Sequence, residues 1–348
     1  MKIIYSDRHR VHAGQREFHR GELVPCFEKP ERADFVHAAV QARNIGPILE
    51  PREFPLSCLE RVHAPRYLRF LEQAWGMWSA LGNTKDALPA VWPIRTFRDD
   101  VEPDYFMAKL GMYSYDNSTP LTAGTWTAAK LGADITLTAQ QLVAGGERAA
   151  FALTRPPGHH AGPDFLGGYC FINNAAVAAQ AFRDGGAQRV AVLDVDYHHG
   201  NGTQAIFYDR ADVMFLSIHG DPRTEYPFYL GHADETGRGA GEGYNWNYPL
   251  PAGSSNAAWF DALDDATRRI VAFEPDALVV SLGVDTFADD PISKFQLREP
   301  EYLRLGAQLA ALGLPTLFVL EGGYAVAEIG HNVAHVLRSF DARNSHEQ

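Results

Sequence analysis

The 348 residues provide enough chain for one large α/β domain or two smaller ones, and 46% hydrophobic with 21% charged residues excludes a disordered or fibrous protein. Lysine and arginine total 31 against 43 aspartates and glutamates, a formal net charge of −12, which excludes a general nucleic-acid binder and favours the approach of small cations.

No repeat, low-complexity tract or flexible linker divides the chain, so one domain is expected. In chain order, helices are predicted over residues 32–42 and 66–80. Residues 81–121 then break the rhythm, with Pro89, Pro93 and Pro103 among the scattered aromatics Trp92, Phe97, Tyr105, Phe106 and Tyr113. A stretch this long reads as an ordered insertion whose aromatics either cover a partner subunit, as in a homodimer, or pack onto the parent domain. A helix is predicted over 124–143, followed by a strand at 149–153, a helix at 174–183 and strands at 189–195 and 213–218. The remaining elements are a helix at 257–272, a strand at 277–282, a helix at 300–312, a strand at 316–320 and a helix at 329–340. This alternation implies βα units and a mainly parallel multi-stranded sheet flanked by helices.

The three cysteines, Cys26, Cys58 and Cys170, are odd in number, far apart and without CxxC spacing, which argues against a disulfide framework or a thiolate zinc site. The opening MKIIYSDRHR has no signal-peptide core, and no segment is apolar for long enough to span a bilayer. A cytoplasmic protein that uses neither membrane nor nucleic acid is the expectation.

The unusual polar residues follow directly after the predicted strands. RPPGHH (155–160) follows the first, DVDYHHGNGT (194–203) closes the second, and His219 and Asp221 follow the third. Asp285 follows the fourth in SLGVDT, and EGGY (321–324) the fifth. In an open parallel sheet the ligand crevice lies outside the carboxyl ends of the strands, so these five segments converge. Asp194, Asp196 and His198 are two apart and share one face of an extended chain. Buried aspartates need a pairing cation. Asp196 and His198, joined by Asp285 from another strand end, make a three-ligand open site for zinc, with iron(II) or manganese as alternatives for so carboxylate-rich a set. His159 and His160, on a rigid turn, suit general acid–base work, with Asp194 and Asn201 orienting the two rings. Tyr324, after two glycines, suits a hydrogen bond to the oxyanion formed when water attacks a carbonyl.

Together RPPGHH, GGYCFINN, LDVDYHHGNGT, SLGVDT and EGGY resemble the motif set of the histone deacetylase superfamily, with its arginase-deacetylase fold. GELVPCFEKPERAD near the start and EIGHNVAHVL near the end resemble the bacterial acetylpolyamine amidohydrolases more than the eukaryotic protein deacetylases. The resemblance implies zinc on Asp196, His198 and Asp285, an electrophilic Tyr324, His160 as general base and acid, and His159 as its electrostatic partner. It implies a narrow tunnel lined by Gly168, Tyr169 and Tyr226, with Ile292 near the mouth, and Glu17 as an acid that recognises a distal ammonium group. Asp104 and Asp116 are further candidates of that kind, in an uncertain register. The resemblance also implies a structural potassium ion at Asp194, Asp196, His198, Ser217 and Ile218, and a second monovalent site at Phe207, Arg210 and Val213. Many members carry aspartate where this chain has Asn201, which leaves His160 without a charged partner. The implied activity is deacetylation of a small acetylated polyamine or diamine. The alternatives are a protein acetyl-lysine deacetylase with the same machinery, an arginase-like binuclear hydrolase, and a catalytically silent acetyl-ligand binding module.

Overall fold

The computed structural model describes residues 1–342. Strands β1 (Lys2–Ile4), β4 (Ile48–Leu49), β5 (Ala149–Ala152), β6 (Val190–Asp194), β7 (Val213–Gly220), β8 (Asn245–Leu250), β9 (Ala277–Leu282) and β10 (Thr316–Leu320) form one sheet. Its order is β4-β1-β5-β10-β9-β6-β7-β8, and every pairing is parallel. A separate antiparallel hairpin joins β2 (Arg16–His19) to β3 (Glu22–Pro25).

Alternation along the central strands divides the interior into two cores. Phe151, Leu193, Val280 and Phe318 face one way, against Val36, Trp259, Leu305 and Val333 of α1 (Glu31–Ala42), α7 (Asn256–Phe273), α8 (Glu299–Ala310) and α9 (Ile329–Ala342). Ala150, Val192, Val279 and Leu317 face the other way, against Phe70, Ile135 and Val177 of α2 (Pro65–Ala80), α4 (Thr125–Ala144) and α5 (Asn174–Asp184). Both faces are therefore covered, which is why these strands read as unbroken apolar runs. The five predicted strands and seven predicted helices are all present, with ends shifted by two residues at most.

The register fixes the functional edge. Asp194, the last residue of β6, lies opposite Ser217 on β7 and Ser281 on β9, and Leu282 on β9 lies opposite Leu320 on β10. The chain thus leaves several neighbouring strands at one level. Asn173 locks two of the exits together: its side-chain oxygen caps α5 by accepting from Ala176 N at 2.9 Å, and its amide donates to Ala161 O and Thr203 Oγ1 at 3.0 Å each.

The aromatics of the 81–121 stretch divide into buried and exposed sets. A short helix, α3 (Phe106–Met112), packs onto the parent domain, with Tyr113 stacked on Phe70 and Phe106 against Trp78. Trp92 is half-buried and donates to Ser114 Oγ at 3.1 Å. Phe97 and Tyr105, in contrast, are 61% and 64% exposed, and Val91, Ile94 and Val101 of the same stretch are exposed as well.

Candidate active site

Asp196 and His198 follow β6, and Asp285 follows β9. All three are buried, and one ligand atom from each lies within 4.8 Å of the others. His198 Nδ1 is 2.9 Å from Asp285 Oδ2 and 3.3 Å from Asp196 Oδ1. Backbone N–H groups hold the carboxylates: Tyr197 N donates to Asp285 at 2.8 Å, and His198 N and Gly322 N each donate to Asp196 at 2.8 Å. Gly322 is required here, since a Cβ would stand 2.5 Å from an oxygen of Asp196 and of Asp285.

The electrostatics fit a bound cation. Burial, and then the neighbouring Asp196, push the Asp285 carboxyl up to about 7. Burial opposes protonation of His198, yet hydrogen bonds and charge from Asp196 and Asp285 bring its imidazole up to about 10. Two buried carboxylates converging on one imidazole need a positive charge among them, which a proton on His198 or, with that ring neutral, a divalent cation would supply.

The tandem histidines, after β5, have opposite surroundings. His159 Nδ1 meets Asp194 Oδ2 at 2.9 Å, and although burial opposes it, charge from Asp194 and Asp196 raises this imidazole to about 10. His160 Nδ1 meets Asn201 Oδ1 at 2.6 Å, and burial, with His159 beside it, holds the ring well below its ordinary value. Asp194 therefore favours the imidazolium form of His159, whereas His160 is favoured as the neutral ring, and with the Asn201 oxygen as acceptor its proton sits on Nδ1 and its lone pair on Nε2. Asn201 opens α6 (Asn201–Phe207).

A cavity of about 570 Å³ opens onto this floor. His160, His198 and Tyr324 lie in its lining, together with Gly168, Tyr169, Tyr226 and Ile292. Gly168 has φ +55°, and a side chain there would drive its Cβ to 2.1 Å from His160 Cδ2. Glu17 is also in the lining, fully buried, accepting from Tyr169 OH at 2.7 Å and Phe27 N at 3.0 Å. Burial pushes its carboxyl up to about 7. Asp116 joins it, accepting from Gly168 N at 2.6 Å and Tyr226 OH at 2.7 Å, whereas Asp104 is exposed and absent from the lining.

Ser217 and Ile218 lie on β7 beside Asp194, so the expected potassium residues do gather at one strand end. Phe207, Arg210 and Val213 lie toward the other end of β7, where Arg210 N donates to Phe207 O at 2.9 Å.

Three residues escaped sequence reasoning. Asp290 accepts from Tyr324 N at 2.7 Å and fixes the backbone there. Arg32 donates to Glu321 O at 2.5 Å and Gly323 O at 2.6 Å, and its guanidinium lies 4.7 Å from the Tyr324 ring centroid. Tyr115, from the insertion, reaches Asn201 at 3.3 Å. Asp290 left a trace as an acid shortly after Asp285, and Arg32 as part of the quoted GELVPCFEKPERAD segment, but neither pointed to its partner.

The histone deacetylase domain matches residues 26–340. The chain belongs to the histone deacetylase family. It is 58% identical to acetylpolyamine amidohydrolase 2 of Pseudomonas aeruginosa over 98% of this chain and 99% of that protein. It is 48% identical to the acetylpolyamine amidohydrolase of Mycoplana ramosa over 97% and 99% of the two chains. A crystal structure of acetylpolyamine aminohydrolase from Burkholderia pseudomallei superposes with a TM-score of 0.94 at 42% identity, covering 98% of this chain and 99% of that one. This member of the family is a hydrolytic deacetylase built on a single α/β domain. Among its described residues no helix is long and apolar enough to cross a membrane.

Proposed function

We propose that this deacetylase acts on small acetylated polyamines or diamines, with zinc held by Asp196, His198 and Asp285. The observation that carries the substrate class is the pair of carboxyl groups, Glu17 and Asp116, in the cavity wall. Their hydrogen-bond partners are neutral groups: Tyr169 OH, Phe27 N, Gly168 N, Ser118 N and Tyr226 OH. Neither is in an ion pair among the described residues, so a slender cation gains most from entering. The relatives named as acting on acetylpolyamines support the same reading.

A zinc ion, when bound, supplies a Lewis acid for the amide carbonyl and acidifies water. The remaining work falls to side chains. His160 Nε2, kept unprotonated, accepts a proton from attacking water and returns it to the departing amine. His159, cationic against Asp194, stabilises negative charge developing nearby. The Tyr324 hydroxyl donates to the oxyanion, with Asp290 and Arg32 fixing its backbone and ring. Tyr169 and Tyr226 wall the path for a methylene chain, and Ile292 borders it.

A structural potassium ion fits the strand end at Asp194, Asp196, His198, Ser217 and Ile218, within a cytoplasmic enzyme. The exposed apolar residues of the insertion, Val91, Ile94, Phe97, Val101 and Tyr105, suit cover by a second copy of the chain, giving a homodimer that narrows the entrance. The test is a comparison of kcat/KM for acetylputrescine, acetylcadaverine, acetylspermidine and an acetyl-lysine peptide, with light scattering for the oligomer. The acetylated amines are expected to lead by tenfold or more. A monomer that prefers the peptide would overturn both the substrate and the dimer.

A further inference from the structure

His160 leans on an amide rather than a carboxylate, and an amide has two unlike ends. Only the oxygen accepts; the nitrogen only donates. With Oδ1 toward the ring, His160 carries its proton on Nδ1 and presents a lone pair at Nε2. With the amide turned over, Nδ2–H would face Nδ1, the proton would move to Nε2, and the ring could no longer accept a proton from water. An aspartate has no such wrong end. Something must therefore hold the amide.

Tyr115 stands where that group is needed. Its hydroxyl lies 3.3 Å from Asn201 Oδ1 and 2.6 Å from the Tyr226 hydroxyl, which is itself 2.7 Å from Asp116 Oδ2. Tyr226 is the donor in both of its contacts, to Asp116 and to Tyr115, so neither uses the Tyr115 proton, which is left for Asn201. Burial holds the Tyr115 phenol well above its ordinary value, so it remains a donor. The ring is held in place by Tyr226, stacked at 6.0 Å, by Phe165 edge-on at 5.6 Å, and by Gly167, where a Cβ would meet it at 2.3 Å.

We propose that Tyr115 is a positioning residue that keeps the amide oxygen of Asn201 on His160, and thereby fixes the tautomer in which His160 can act as base. The inference rests on the reading of His160 as base. It gives the 81–121 insertion a part in the chemistry as well as in the surface, because Tyr115 reaches 86 positions along the sequence to Asn201.

The experiment is a double-mutant cycle on kcat and KM with an acetylated diamine, using the parent, Tyr115→Phe, Asn201→Asp and the double variant, each checked for metal content and Tm. Losing one hydrogen bond that selects the amide orientation should lower kcat about tenfold in Tyr115→Phe, with KM within about twofold. On the Asn201→Asp background, where both ends accept, the same substitution should cost less than about twofold. Equal losses on the two backgrounds, or no loss on the parent, would overturn the role of Tyr115. His160→Ala separates this from the underlying reading: retained kcat there removes the base itself, whereas a lost kcat with a silent Tyr115→Phe removes only the lock.

Discussion

Glu28→Gln tests whether the floor beneath Tyr324 is held by charge. The Glu28 carboxylate takes Arg155 Nε at 2.7 Å and Nη2 at 2.8 Å, and Arg32 Nη1 at 3.0 Å. All three side chains are buried, at 1–3% exposure. Burial works against the carboxylate, but Arg155 and then Arg32 hold it down at about 2. Glutamine keeps the shape, removes the charge, and turns an N–H toward a guanidinium. Leaving buried charges without their partner costs about 3–5 kcal/mol. With about 2.1 cal/mol/K of unfolding entropy per residue, 348 residues give about 0.7 kcal/mol/K, so Tm should fall by about 4–7 °C. Because Arg32 also clamps the carbonyls of Glu321 and Gly323 under the Tyr324 ring, kcat should fall with it. Calorimetry and steady-state kinetics on one preparation read both. A Tm within 1 °C of the parent, with full kcat, would refute the reasoning.

Asp285→Ala and His198→Ala should each lose metal on dialysis, since a three-ligand site missing one ligand competes poorly with chelators; unchanged stoichiometry in both would remove the ligand assignment. Tyr324→Phe should keep its metal and Tm while kcat drops roughly 10²- to 10³-fold, the scale of one lost oxyanion donor. His12, His63 and His219 are buried, and burial lowers each to about 4. A histidine that binds its proton more weakly when folded contributes stability above the unfolded value near 6.5 and loses it as pH falls toward 4, by about 1.4 kcal/mol per pH unit per residue. Denaturant titrations from pH 7.5 to 4 should show a smaller decline in His63→Gln than in the parent, and identical profiles in the two would contradict it.

Much of this was legible because the central strands are buried on both faces and therefore stand out as apolar runs, each ending in its polar residues. Asp196, His198 and Asp285 were legible as residues just past strand ends, but β6 stops at Asp194 and the chain bends through Asp196 and His198, so the shared face of an extended chain is not what brings them together. β8 was missed because the alternation in NWNYPL is short, runs into Pro249 and is inverted, with the asparagines buried and the aromatics only half-buried, and β1 and β4 are too short to show a period. α6 hides behind the glycines that follow the second histidine pair. Glu17, expected to meet a distal ammonium group, does line the cavity, though its carboxyl is buried against Tyr169. Arg32 and Tyr115 were missed for another reason: their partners lie 289 and 86 positions away, and no local pattern carries such a contact.

The two outer strands bear on how such molecules behave when crowded. β4 offers only two residues to a newcomer, and β8 contains Pro249, whose nitrogen has no hydrogen to donate. Short or proline-bearing borders are a standing defence against edge-to-edge aggregation. The ladder therefore stops at eight strands, and molecules brought together at high concentration meet through side chains rather than by extending one another's sheet.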